Sequence, residues 1–511
     1  MDCKYTRQTV RISAPMLKQT AEHPIDATVT LPDSCSDIKR LLKCRVRPYV
    51  ISKTVKGDMF CVEGEVALSI CYVDREGCIK SYDHTEAFSH DFELESPIDE
   101  AVSQVRLKVS YMNCKAISER RVDVHSSLAI QACVKSCLPM EIVTDIDEPT
   151  VRQLRGSRPS STLVGFDEKY LIVSDEMSVS DSSESIRNIL RTDSRVLVSD
   201  TKMIGNKVVV KGEMRVKLLY IGEEEGECCS ATESFPFSQI FDIVGLNDNC
   251  TCSVDASVIG CEVRPHTDMS GMLRKAMVGA KLYLSVTAYC NAQIPYLTDA
   301  YSTERKLDIG REPLTFERVA HSVNEPCLVA KRLDVPVENI DKVLDVWNDV
   351  ELGSVNCSGG TLVVKGTLQV SILALDSSKE PLYFERGVEF EFTKDIPENS
   401  ADGECQCSLT PTDIVYSLGR GDFEIKSELN VRADLIERSY CDVITSAEFG
   451  DKHISKYGNS SVVIYRAGAG ERLWDIAKHY NTSVEAIADL NSISGEQLEN
   501  DRTVVIPVGS V

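Results

Sequence analysis

The sequence predicts a mainly β protein with small α elements: three repeated antiparallel β domains, each with one short helix, followed by a small βααβ module. Two observations carry this expectation. The stretch Val62-Glu63-Gly64-Glu65-Val66 returns as Val210-Lys211-Gly212-Glu213-Met214 and as Val364-Lys365-Gly366-Thr367-Leu368. The glycines lie 148 and then 154 residues apart, and an apolar triplet begins 26 residues ahead of each one: Ile38, Leu41, Leu42; Ile186, Ile189, Leu190; Ile340, Val343, Leu344. A constant ungapped spacing of this kind marks three copies of one unit. The second observation is that residues 462–508 follow a different pattern, strand, helix, helix, strand.

Each element of the unit has a physical reading. Apolar residues at i, i+3 and i+4 predict one face of a short helix. Residues 33–36 and 181–184 are polar and suited to cap that helix in copies one and two, and Pro336 to open it in copy three. Val62, Gly64, Val66, Leu68 and Ile70 alternate with mostly polar neighbours, which predicts a strand with one wet face. The recurring strand glycine implies a bulge or a close backbone approach. Turn-rich runs at 74–77, 222–226 and 376–379 predict hairpins. Alternating runs at 104–109 and 279–286 add further strands. The expected units are residues 1–137 (an N-terminal strand arm plus copy one), 160–290 and 325–445. Turn-rich connections join them, the first carrying residues 156–161, and a polar linker at 449–461 precedes the C-terminal module.

Bulk properties exclude several classes. The chain has 511 residues, 42% apolar and 26% charged, enough to bury several cores. Its net charge of −23 argues against nucleic acid and acidic membrane surfaces as partners. No apolar run is long enough to span a bilayer, and residues 1–7 are not followed by the apolar core of a signal peptide, so a cytosolic protein is expected. The twenty cysteines form no repeating framework and read as small buried hydrophobes. Disulfides are not expected, and Cys250-x-Cys252 and Cys405-x-Cys407 read as thiol pairs in preference to metal sites. Phosphate-loop, zinc-protease and serine-hydrolase motifs are absent, the eight histidines are scattered, and no catalytic residue, cofactor or metal is expected. The expectation is a protein that is not an enzyme.

In the C-terminal module, Leu473, Ile476, Ala477 and Tyr480 predict one face of a first helix. Thr482 and Glu485 predict a capping box for a second, with Val484, Ile487, Ala488 and Leu490 facing inward. Tyr465, Gly470-Glu471, residues 473–477, 482–484, Leu490-Asn491 and 504–507 together resemble a LysM domain. That resemblance implies binding of N-acetylglucosamine glycans by two loops, here Ala469, Gly470, Glu471, Arg472 and Leu473, and Ser492, Ile493 and Ser494. Glu471 and Arg472 stand where the LysM pattern usually has Asp and Thr, and Arg472 cannot cap a helix with its side chain. Trp474 is expected in a core before a sugar platform. Arg472 beside Leu473 is the expected protein-binding hot spot.

The three upstream copies resemble the SPOCS domain of clostridial sporulation proteins. Three such repeats before one LysM domain are similar to the SipL family of spore-coat morphogenetic proteins. The resemblance implies a structural adaptor in the mother-cell cytoplasm, at the forespore surface, bound to the coat-basement ATPase SpoIVA with help from the LysM module. The alternative is a wall or cortex protein anchored to peptidoglycan through that module.

Overall fold

A computed structural model of the chain describes residues 4–97, 101–179, 185–223, 227–336, 339–397, 404–419, 422–453 and 460–508. Copy one contains β1 (Tyr5–Thr30), β2 (Ile38–Lys56), β3 (Met59–Asp74), β4 (Ile79–Glu93), β5 (Ala101–Ser118) and β6 (Arg121–Ile146). Copy two contains β7 (Val151–Ser178), β8 (Ile186–Ile204), β9 (Lys207–Gly222), β10 (Cys228–Asp242), β11 (Cys250–His266) and β12 (Lys275–Ser302). Copy three contains β13 (Arg305–Leu333), β14 (Lys342–Ser358), β15 (Thr361–Leu375), β16 (Pro381–Asp395), β17 (Glu404–Leu418) and β18 (Phe423–Lys452). In every copy the strands form two antiparallel three-stranded sheets, ordered β2-β3-β4 and β1-β6-β5 in copy one, β8-β9-β10 and β7-β12-β11 in copy two, and β14-β15-β16 and β13-β18-β17 in copy three. The sheets face each other across one core per copy, as in a β-sandwich.

The glycine strand sits at the centre of the first sheet. Val62, Val66, Leu68 and Ile70 are buried on its inner face while Glu63 and Glu65 are exposed, as the alternation predicts. A Cβ on Gly64 would stand 2.3 Å from the Tyr49 carbonyl oxygen and 2.5 Å from the Phe88 ring. At Gly212 the same atoms are the Leu197 oxygen (2.3 Å) and Phe237 (2.6 Å), and at Gly366 the Glu351 oxygen (2.5 Å) and Phe390 (2.8 Å). Each glycine thus leaves room for a phenylalanine ring from the neighbouring strand. The partner strand bulges beside each glycine, at Val50/Ser52, Val198/Asp200 and Leu352/Ser354. Of the two expectations for this position, the close approach is met at the glycine itself, and the bulge falls on the strand opposite it. The hairpins form as well: the Asp74 and Asp376 carboxylates each accept two backbone N–H groups within their own turn. Residues 224–226 of the second turn lie outside the described residues.

The short helix expected in each copy is instead the start of a strand. Ile38 begins β2, which carries register shifts at Ile38/Arg40 and Leu41/Lys43; β8 shifts at Ile186/Asn188 and Ile189/Arg191, and β14 at Val343/Asp345. A bulge inserts one residue, so side chains two places apart on one face become three apart. Ile38 and Leu41 therefore share the sandwich core, while Leu42 turns to the opposite face and meets the other copies. Ile186, Ile189 and Leu190, and Ile340, Val343 and Leu344, divide in the same way. A bulged strand has reproduced helical spacing. The proposed caps at 181–184, together with Val337 beside Pro336, lie outside the described residues. The run at 156–161, expected as a flexible turn, is part of β7.

The three sandwiches close into a ring: β4 touches β8, β10 touches β14, and β16 touches β2. At one end the long strands extend past their sandwiches as paired arms, and β6, β12 and β18 contact one another. Val143, Leu297 and Ile444, with Ile146, Ala300 and Ala447, form their shared apolar core. At the other end Leu42, Ile79, Leu190, Leu219, Leu344, Trp347 and Leu373 meet beneath a charged hub. There Arg45 and Arg47 of copy one and Arg191 of copy two bind the buried Asp193. Arg191 and Lys217 reach Asp345 of copy three at 3.0 and 2.6 Å, and Arg45 reaches Asp349 at 2.9 Å. Arg191 also lies 3.9 Å over the Trp347 ring. Burial, then repulsion from neighbouring arginines, pushes Arg47 and Arg191 down to about 10, which leaves both charged at neutral pH.

The cysteines differ from expectation in one respect. Cys44 and Cys114 are disulfide-bonded, as are Cys250 and Cys290. Each bond joins different strands, β2 to β5 and β11 to β12, so no local spacing could reveal it. Cys250 is paired across the sheet and not with Cys252.

Candidate functional site: the LysM module and its attachment

β19 (Val462–Ala467), α1 (Leu473–Tyr480), α2 (Val484–Asn491) and β20 (Arg502–Pro507) form the C-terminal module in the expected order. α1 and α2 are the only α-helices among the described residues. β19 and β20 pair antiparallel, and Leu473, Ile476, Ala477, Ile487, Leu498, Val504 and Ile506 fill the core. The cap of α2 is Ser483, whose Oγ accepts from Ala486 N at 3.1 Å, one residue later than the expected Thr482. Val484, Ile487 and Ala488 face the core as expected, but Leu490 is half exposed, and Asn491 turns inward beside them. The Asn491 amide bonds to Ile487 O, Val505 O and Val505 N, tying α2 to β20.

The two expected ligand loops are both placed at the surface. Ala469, Gly470, Arg472, Ser492 and Ser494 are exposed, and Glu471 and Ile493 are partly so. Leu473 is not: it is fully buried in the module core. It follows that the expected pairing of an exposed cation with an exposed apolar side chain at 472–473 does not exist. Arg472 instead makes a bidentate pair with Asp475 one turn on, at 2.9 and 3.1 Å. As expected, it gives α1 no side-chain cap. The backbone supplies the constraint: Leu473 N donates to Glu496 O at 2.9 Å, and Gly470 N and Leu498 N close the adjoining ladder. The first loop therefore lies against residues 496–498, just beyond the expected second loop. Glu471 accepts from Gly468 N at 2.9 Å and from the Tyr465 hydroxyl at 3.0 Å, and Asp501 accepts from Ala469 N at 2.7 Å. With its carboxylate spent on the loop's own backbone, Glu471 fixes loop shape.

Trp474 packs against the module core, as expected, and is not an open platform. Its ring meets Tyr301 of β12 edge-on at 4.9 Å, and its Nε1 donates to Asp299 at 2.8 Å. Lys478 reaches the same carboxylate at 2.7 Å and Arg311 at 2.6 Å. The Tyr301 hydroxyl donates to Thr482 O at 2.8 Å. One face of α1 is thus bonded to the tip of the copy-two arm, where Arg311 of copy three shares the Asp299 carboxylate. Burial works to raise the Asp299 pKa, but bonds from Lys478 and Trp474, with the Lys478 and Arg311 charges, outweigh it and hold the carboxyl below its ordinary range. Burial pushes the Tyr301 phenol up. Sequence reasoning missed Asp299 and Tyr301 because their partners lie far along the chain; the available signal was that Tyr301 stands where copy one has Asp147.

A cavity of about 800 Å³ lies between the copies, lined in part by Lys135, Tyr289, Glu317, Arg432 and Asp434. Within it Glu317 binds Lys135 at 3.1 Å and Arg438 at 2.7 Å. His84, His125 and His453 each contact a different partner: Glu86, Asp26 and the Ser302 carbonyl.

Family models match the chain at two places with the SipL SPOCS domain, residues 37–117 and 185–265, and at residues 465–507 with the LysM domain. No curated protein and no solved structure matches it. The fold and these matches define a protein of tandem SPOCS domains ending in a LysM domain, modules that bind and are not catalytic. That combination is the one found in a SipL-like protein, and it makes this a sporulation-related chain with a module of the cell-wall-binding, peptidoglycan-binding type. No helix among the described residues is long and apolar enough to cross a membrane.

Proposed function

We propose that the chain is a non-catalytic scaffold of endospore coat assembly, working in the mother cell at the forespore surface and docking on the coat-basement ATPase SpoIVA. In this reading the units at 1–137, 160–290 and 325–445 are three SPOCS domains, the third diverged from the family pattern, and the LysM module contributes to partner binding. One observation carries it: the module is bonded to the tip of the copy-two arm through Asp299 and Tyr301 while its two loops stay open to solvent. A module held this way presents its loops in a fixed orientation relative to the ring, which suits an adaptor joining two large partners.

The second reading, glycan binding, is favoured by the loops' own construction, since Ala469, Gly470, Ser492 and Ser494 are exposed on a backbone already fixed by Glu471 and Asp501. Titrating the full-length chain against N-acetylglucosamine oligomers and, separately, against the ATPase tests both. Saturable binding of the ATPase, weakened by removing residues 462–508, is the expected result. Saturable oligomer binding with no ATPase binding would replace the first reading with the second.

A further inference from the structure

Along one seam of each sandwich the first strand of one sheet meets the edge strand of the other: β2 with β5, β8 with β11, β14 with β17. In copy one this seam is closed by the Cys44–Cys114 disulfide. In copy three the corresponding strands carry Cys357 and Cys405, both partly buried and packed on the same core. The two strands pack against each other along the seam, and both side chains lie against the one core between the sheets. In copy two β11 carries Cys252 and Cys261 but the facing strand β8 has no cysteine, so no thiol pair spans the seam; the disulfide of that copy lies within one sheet, β11 to β12.

We propose that Cys357 and Cys405 are a disulfide-forming site that staples the third sandwich across the seam already bridged in the first. The co-reactant is a small-molecule disulfide such as oxidised glutathione. Cys357, which stands near the end of β14, attacks one sulfur as thiolate, and one glutathione leaves as thiolate. Cys405 then attacks Cys357 in the mixed disulfide and expels the second glutathione. The two cysteine sulfurs are oxidised by two electrons, which reduce the disulfide to two thiols that take up the two cysteine protons. The bridge would close a loop between residues 357 and 405 and restrict the unfolded chain. The middle sandwich keeps a seam held only by packing and is the first to open on heating.

Peptide mapping tests the site directly. The full-length chain is reduced, incubated with oxidised glutathione, alkylated and digested without reduction. A peptide linking Cys357 to Cys405 is expected. Recovery of both as separately alkylated or glutathionylated residues, or a Cys405–Cys407 link, overturns the proposal. A second measurement compares unfolding midpoints of oxidised and reduced protein. In the wild type the gap should exceed that of Cys357→Ser by about 5 °C, because the other two bridges are common to both. An equal gap would overturn the staple.

Discussion

The two ends of the ring join the same three copies by opposite means. At the arm end, corresponding positions carry similar apolar side chains: Val143, Leu297 and Ile444. Any copy could take any place there. At the hub end, corresponding positions carry different charges: Lys43, Arg45 and Arg47 in copy one; Arg191, Asp193 and Arg195 in copy two; Asp345, Trp347 and Asp349 in copy three. Three copies of the first set would meet as nine cations, whereas the mixed set pairs Arg45 and Arg47 with Asp193, and Arg191 with Asp345. Apolar burial supplies adhesion without order, and buried ion pairs supply order at a desolvation cost. The divergence of polar residues among otherwise regular repeats has this physical meaning: it fixes which copy sits beside which, and disfavours trimers made from one copy of each of three chains.

The largest effect expected is at the hub. Asp193→Ala removes the carboxylate shared by Arg45, Arg47 and Arg191 and leaves their charges crowded together, which should lower stability by about 3–5 kcal/mol. Asp193→Asn keeps the shape and part of the hydrogen bonding and should cost less, so the gap between the two denaturant midpoints isolates the contact from the charge. If Asp193→Ala matched an ordinary surface substitution, the hub would not order the copies. At the arm end, Leu297→Ala empties a fully buried site and should cost about 2–4 kcal/mol. There, unlike at the hub, a change of apolar type should be tolerated: Leu297→Ile is expected to shift the midpoint by much less than Leu297→Ala.

How much of this was legible in the sequence depended on whether a contact had a local signature. The glycine strands were legible because Gly64, Gly212 and Gly366 are forced by a carbonyl and a ring in the adjoining strands, and the alternation around them is a single-strand property. The triplets were misread because a bulge converts a period of two into a spacing of three, which no single strand distinguishes from a helix turn. The LysM order was legible down to both helices, yet the cap moved by one residue and Leu473 went inward. The Asp193 hub, the Asp299 attachment and the disulfides were not legible at all: the first two join residues of different copies or modules, and each disulfide joins two strands that only the folded copy brings together.

The attachment of the LysM module tests whether the ring and the module act as one body. Asp299→Ala removes the common acceptor of Trp474, Lys478 and Arg311 and should weaken docking by about 1–2 kcal/mol, discounted because Lys478 and Arg311 are partly solvated. Faster hydrogen exchange in α1, with the copy-two core unchanged, is the expected readout; equal exchange would mean that Asp299 does not hold the module. The pH dependence follows from the lowered Asp299 pKa. The stabilisation is fully present above the free carboxyl value of about 3.9 and is lost as pH falls through the lower docked value. Docking should therefore be constant through neutral pH and fail only in acid, and a loss near pH 6 would point to a different group.

The smallest effect is expected at Arg472. Its guanidinium pairs with Asp475 in water, at about half exposure on both sides, and the loop beneath it is held by backbone bonds from Gly470, Leu473 and Leu498. Arg472→Ala should then leave the melting temperature and α1 exchange unchanged. That neutrality makes it a clean probe, because any loss of partner affinity reports on the loop surface and not on folding. Weaker ATPase binding by Arg472→Ala, with oligomer binding unaffected, would assign the loop to protein contact. Unchanged affinity for both ligands would remove Arg472 from the site and leave the exposed backbone at Ala469, Gly470, Ser492 and Ser494 as the surface that any ligand must read.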